Sequence, residues 1–169
     1  QGPNGEAPLA AAAAIGSTAI VATLISAGAD VNARAADGLT ALYIGCQQRH
    51  DGVVRALLDA GANVNGAQAG GGQTVLQQAV HDGNVDVVRM LIAAGADVHA
   101  QDADGGTALY WACQGGHADI VRVLIDAGAG RAWHKGLGRL PAALAEARFK
   151  QALAQDPRDS YLLGAYSDF

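Results

Sequence analysis

The 169-residue sequence predicts an all-α solenoid: helix–turn–helix units joined by hairpin-like loops, stacked into a curved array with a longer C-terminal helix. Three observations lead there. The string "DGGTALYWACQGGHADIVRVLIDAGA" from Asp104 is nearly repeated upstream, from Asp37, as "DGLTALYIGCQQRHDGVVRALLDAGA". The Gly of "AGA" returns at Gly28, Gly61, Gly95 and Gly128, at spacings of 33, 34 and 33 residues, and a fixed period of this size signals a repeat architecture. Half of the residues are hydrophobic but only 5% are aromatic, so Ala, Leu, Val and Ile must build the core, while 23 glycines, about twice the usual share, mark regularly placed turns.

Each unit follows from local physical chemistry. Thr40, Thr74 and Thr107 stand just before short apolar runs, where a hydroxyl can cap free helical N–H groups. The first run, such as "ALYWACQ", makes about two turns. A tight turn follows, at Gly83-Asn84 or Gly115–His117. The second run, "ADIVRVLIDA", places Ile120, Val121, Leu124 and Ile125 on one face and stops at Gly128, where a left-handed backbone is open to glycine. Asp51, Asp86 and Asp119 open the second runs, where the helix dipole favours an acid. "ADVNARAADG" then crosses to the next unit in a hairpin ending in Asp-Gly. The hairpin glycine recurs at Gly5, Gly38, Gly72, Gly105 and Gly138. The single 34-residue spacing comes from one extra residue in "AQAGGGQT". The "AGGGQ" within it lacks the Gly-Lys-Ser/Thr ending of a phosphate loop and follows no buried strand, so it reads as a longer hairpin tip.

The unit resembles the ankyrin repeat. "TALY" (Thr40–Tyr43), "TVLQ" (Thr74–Gln77) and "TALY" (Thr107–Tyr110) stand for that family's Thr-Pro-Leu-His. "GADVN" (Gly28–Asn32), "GANVN" (Gly61–Asn65) and "GADVH" (Gly95–His99) stand for its Gly-Ala-Asp-Val-Asn. The family's Pro is replaced by Ala41, Val75 and Ala108, though Pro8 and Pro141 keep it in the outer units. Its His is replaced by Tyr43, Gln77 and Tyr110, so the Thr–His hydrogen bonding usual in the family is expected to be lost.

Residues 1–130 divide into four such repeats, at about 3–33, 34–66, 67–100 and 101–130. Residues 131–157 read as a degenerate capping repeat with one long amphipathic helix, "LPAALAEARFKQALAQDP", and 158–169 as a C-terminal tail that packs on the cap, starts a further segment or serves as a docking peptide. Ala145, Phe149, Ala152 and Pro157 also fit the spacing of the second helix of a tetratricopeptide repeat, but "RAWHKGLG" carries no recognisable first helix.

Charge is uneven. Residues 1–130 hold five Arg and twelve Asp/Glu, a balance of −7; residues 131–169 hold six Lys/Arg and four Asp/Glu, a balance of +2, and together they give the net −5. An acidic body does not attract nucleic-acid phosphates. No apolar run approaches the roughly 20 residues of a membrane helix, and no secretory leader is recognisable. The single Met is Met90, so the sequence is expected to be a processed product or a fragment. Two isolated cysteines, Cys46 and Cys113, form neither a disulfide framework nor a zinc site. They point to a reducing, intracellular compartment, cytoplasmic or nuclear.

The cysteines occupy equivalent places in their repeats and read as small core residues. His50 and His117 are turn histidines, and His81 and His134 are isolated. His81 stands beside Asp82, but neighbours on a helix are expected to point apart. No metal-ligand spacing and no nucleophile–base pattern emerges, so no catalysis and no cofactor are expected. In ankyrin proteins the groove formed by hairpin tips and first helices usually binds another protein. By position that face includes Asp37, Leu39, Tyr43, Gln47, Gln48, Gln77, Gln78, His81, Asp82, Asp104, Tyr110, Trp111 and Gln114. Trp111 stands out because Trp is enriched among interface hot spots; Asp37, Asp82, Asp104 and Glu6 would face a basic partner surface. The expected partner is a protein or peptide, met by a scaffold or substrate-recognition arm; the alternative is a small inhibitor that blocks a partner enzyme sterically. The resemblance also implies that Asn32 and Asn65 are targets of asparaginyl hydroxylation, with His99 at the third such position.

Overall fold

A computed structural model describes residues 8–66 and 72–129. The cap at 131–157, the tail at 158–169, Glu6, His134 and the glycine-rich tip at 69–71 lie outside these residues. Among the described residues there are eight helices, in four pairs: α1 (Pro8–Ile15) with α2 (Thr18–Ser26), α3 (Ala41–Gln47) with α4 (Asp51–Asp59), α5 (Val75–His81) with α6 (Val85–Ala93), and α7 (Ala108–Gly115) with α8 (Ala118–Asp126). First helices pack in one layer, α1 on α3 on α5 on α7. Second helices pack in another, α2 on α4 on α6 on α8. Such a stack has no central core; each unit buries its apolar side against its neighbours.

The helix starts match the expected caps. The hydroxyls of Thr40, Thr74 and Thr107 accept the backbone N–H of Tyr43, Gln77 and Tyr110. Asp51, Asp86 and Asp119 lie in the first turns of α4, α6 and α8. The second helices end at a glycine with positive φ, +85° at Gly28 and +92° at Gly128, a conformation in which a Cβ would be strained. The hairpins are reduced to single antiparallel bridges, Arg34 with Thr40 and Gln101 with Thr107. Asp30, Asn63 and Asp97 close the preceding turns by accepting the backbone N–H of Asn32, Asn65 and His99.

The shared core is aliphatic. It contains Leu9, Leu42, Leu76 and Leu109 from the first helices and Val54, Leu57, Val88, Leu91, Val121 and Leu124 from the second. Cys46 and Cys113 are buried in it, and burial pushes both thiols up to about 12. In Cys46 the nearby Asp82 and Asp51 add to that effect.

Candidate functional site

Register places one surface position alike in three of the repeats. Gln47, His81 and Gln114 stand 34 and 33 residues apart, at or next to the last residue of α3, α5 and α7, and all three are exposed. Gln48 and the half-buried Asp82 follow them in the turns. Asp37 and Asp104 are exposed on the hairpins. Asp37 also fixes its own hairpin by accepting the backbone N–H of Leu39 at 2.9 Å, and Leu39 is half-buried against the core.

Three residues assigned to the binding face are enclosed instead. Tyr43, Gln77 and Gln78 are buried because the next repeat packs over them, and each finds its polar partners inside the stack. The Tyr43 hydroxyl donates to Gln78 Oε1 at 2.9 Å, and Gln78 Nε2 donates to Asp82 Oδ2 at 2.8 Å. Burial, with the neighbouring Asp82 and Cys46, holds the Tyr43 phenol above its ordinary range.

Gln77 corrects a second expectation. The link from the capping Thr to the residue three places on is not lost in the third repeat, because a carboxamide supplies both polarities. Gln77 Oε1 accepts the Thr74 N–H at 2.7 Å while Thr74 Oγ1 accepts the Gln77 N–H at 3.1 Å, a complete capping box. The Gln77 amide nitrogen donates onward to the carbonyls of Ala100 and Gly106, at 3.2 and 2.7 Å, joining the third repeat to the fourth.

His81 and Asp82 also meet, contrary to the expectation for helical neighbours. Their side chains come to 3.6 Å at the end of α5, where His81 is the last residue and Asp82 the C-cap. The pair is partly exposed and sits at the end of the chain of hydrogen bonds that runs from Tyr43 through Gln78 to Asp82.

Trp111 is half-buried against the core and makes an edge-on contact with Tyr110, ring centroids 5.0 Å apart at 73°. Its indole Nε1 donates to Asp102 Oδ2 at 2.7 Å. Asp102 was not among the expected site residues, yet it organises this end of the face: its other oxygen accepts the backbone N–H groups of Asp104 and Gly106, at 3.1 and 2.8 Å. An Asp two residues before a turn is a known sequence signal for such a loop, but that Trp111 reaches it required the fold. Tyr110 and Trp111 therefore present partial ring surface on α7, with the indole tied to the hairpin through Asp102, and Gln114 is exposed on the same helix.

Asn32 and Asn65 are exposed, and both carboxamides bind the next repeat. Asn32 Oδ1 accepts the Asn63 N–H at 2.7 Å; Asn65 Oδ1 accepts the Asp97 N–H at 2.8 Å, while its nitrogen donates to Gly95 O at 3.1 Å.

Among the described residues no group of three or more His, Cys, Asp or Glu could hold a metal ion, and no helix is long and apolar enough to cross a membrane.

Comparison with known proteins agrees with the repeat geometry. Family models described as ankyrin repeats match residues 1–68 (three copies) and residues 46–92 and 76–125 (many copies). Two curated relatives match over 78 residues. A probable E3 ubiquitin-protein ligase of Oryza sativa subsp. japonica is 44% identical across 46% of this chain and 15% of its own length. The mitochondrial disaggregase of Bos taurus is 40% identical across 45% of this chain and 12% of its own length. The matched part is thus less than a sixth of either relative. Period, caps, turns, two-layer stacking and family match agree: the chain belongs to the ankyrin-repeat family.

Proposed function

We propose that this chain is a protein-recognition module, a scaffold or substrate-recognition arm, that binds a partner through its hairpin tips and the exposed ends of its first helices. Ankyrin arrays are in general modules for protein–protein interaction. The observation that supports this face is the exposed polar column Gln47, His81 and Gln114, repeated at one register position through three consecutive units. Core packing does not call for polar side chains there, and a column of hydrogen-bonding groups suits a surface that meets another chain. Half-exposed Trp111 and Tyr110 supply aromatic area beside it, and Asp37, Asp82 and Asp104 favour a basic partner surface. The ligase relative carries similar repeats, which is consistent with a substrate-recognition arm. Asn32 and Asn65 remain the proposed hydroxylation sites; a mass gain of one oxygen on the peptide containing either residue tests this.

The test of the binding face is capture of partners from a native extract with the chain and, in parallel, with Gln47→Arg plus Gln114→Arg. Both changes are at exposed positions and leave the stack unaltered. A protein held by the first bait and lost from the second supports the face. The same protein held equally by both baits rejects it.

A further inference from the structure

The crossing turns after α2, α4 and α6 are built alike. The side chains of Asp30, Asn63 and Asp97 accept the N–H two residues on. The N–H groups of Ala33, Gly66 and Ala100 then return to the carbonyls of Asp30, Asn63 and Asp97, at 3.1, 3.3 and 3.3 Å. The closing pairs of these turns are Asn32-Ala33, Asn65-Gly66 and His99-Ala100, so only the second repeat sets a glycine after an asparagine. The backbone does not require it. Gly66 has no positive φ, and a Cβ there would lie 3.4 Å from Asn63 O, at van der Waals contact. Asn-Gly is nevertheless a reactive pair, because without a Cβ the glycine nitrogen can reach the carboxamide carbon before it. The other described asparagines lack this neighbour: Asn32 precedes Ala33, Asn63 precedes the buried Val64, and Asn84 caps α6 before Val85. Asn65 itself is exposed. Asn4-Gly5, the same dipeptide, lies outside the described residues.

We propose that Asn65 is a site of spontaneous deamidation and that its conversion loosens the joint between the second and third repeats. The Gly66 backbone nitrogen gives up its proton and bonds to Asn65 Cγ. The Cγ–Nδ2 bond breaks, and ammonia leaves with that proton. Water then opens the resulting succinimide at either ring carbonyl, to aspartate or isoaspartate. Water is the only co-reactant and nothing is oxidised or reduced. The departing nitrogen is a joint contact: Nδ2 donates to Gly95 O at 3.1 Å, while Oδ1 accepts the Asp97 N–H at 2.8 Å. The product has no donor for Gly95 and sets a carboxylate against its carbonyl. The isoaspartyl form also adds one methylene to the main chain between residues 65 and 66.

The whole chain, warmed at mildly alkaline pH both folded and in urea, tests this. Peptide mass spectrometry with fragmentation reads the amide-to-acid mass change at each asparagine, which is distinct from the gain of one oxygen. An isoaspartate methyltransferase labels the rearranged product. The expected result is deamidation of the folded chain at Asn65 ahead of Asn32, Asn63 and Asn84. Gly66→Ala, with circular dichroism to confirm its fold, should slow the reaction by roughly tenfold or more. Asn65→Asp should lower the urea midpoint. An Asn65 that reacts in urea but stays intact in the folded chain overturns the proposal, since its two bonds to the third repeat would then hold the carboxamide away from Gly66. So does a Gly66→Ala chain that reacts at the native rate. An Asn65→Asp midpoint equal to that of the native chain overturns the loosening of the joint.

Discussion

The imidazole of His117 fills the space where a Cβ on Gly83 would stand: an added carbon there would lie 2.8 Å from His117 Cε1. His50 covers Gly16 in the same way, at 2.7 Å. Each histidine thus rests on the glycine of the preceding repeat, and each glycine also has positive φ, +69° at Gly83 and +80° at Gly16. Between them the pattern changes in both members. Arg49 stands where the glycine would be, and Asn84 where the histidine would be. A ring cannot lie on a residue with a Cβ, so the shorter Asn84 accompanies Arg49, capping α6 through the Val87 N–H and donating to Asp51 at 2.8 Å.

Gly83→Ala should therefore cost about 1–3 kcal/mol, from overpacking against the ring and from the left-handed backbone together. The urea midpoint measures it. His117→Asn in the same chain should recover part of the loss, because the smaller side chain restores the Arg49–Asn84 combination; no recovery would mean that backbone strain accounts for the whole effect.

Arg49 is the one described non-glycine residue with positive φ, at +60°. Arg49→Gly should stabilise the protein by about 0.5–1 kcal/mol, since relief of the left-handed strain outweighs glycine's extra unfolded-state entropy. A thermal midpoint that falls would show that the Arg49 side chain contributes more than its backbone conformation costs.

Most of the fold was legible because the features that specify it are local and repeated. Thr40, Thr74 and Thr107 cap helices, and Gly28 through Gly128 end them, by rules that act within a few residues. The site was less legible because solvent access is set between repeats. Tyr43 and Gln78 are 35 residues apart and bury each other, a fact that periodicity within one unit does not contain. Gln77 looked like a departure from the family's His, yet a carboxamide that both donates and accepts restores the link in one of three repeats.

The two buried thiols give a pH dependence. Cys46 and Cys113 are raised from the ordinary 9.0 to about 12 by burial. The folded protein thus keeps its protons where the unfolded chain loses them. Stability from this source is fully present below about pH 9 and declines as pH rises toward 12, by about 1.4 kcal/mol per pH unit for each thiol. Cys46→Ala and Cys113→Ala should each flatten the alkaline limb of a stability–pH curve. At pH 8 a thiol reagent should modify native protein only as fast as it opens, so a rate equal to that of free cysteine would refute the buried assignment.

Gln77 is fully buried and has four hydrogen bonds, two within its own cap and two to the carbonyls of Ala100 and Gly106. Gln77→Glu keeps the shape and the cap acceptor but turns the donor into a second acceptor facing those two carbonyls. It should cost about 2–4 kcal/mol at neutral pH, well beyond Gln114→Glu on the exposed surface, measured by urea unfolding. Equal effects at the two positions would mean that Gln77 is not enclosed.

Asp102 joins stability to the proposed binding face. It accepts from Trp111 Nε1, Asp104 N and Gly106 N, so Asp102→Ala leaves three donors without their partner and frees the indole from its hairpin. The loss should be about 1–3 kcal/mol, and the Trp111 indole N–H resonance should move toward that of a solvent-bonded indole. Asp102→Asn keeps one acceptor oxygen and should fall between the two. If the face proposed here binds a partner, Asp102→Ala should weaken binding even though Asp102 is half-buried, because it positions Trp111 and Asp104. Retention of full affinity alongside a shifted indole resonance would place the contact away from Trp111 and leave the Gln47–His81–Gln114 column to carry it.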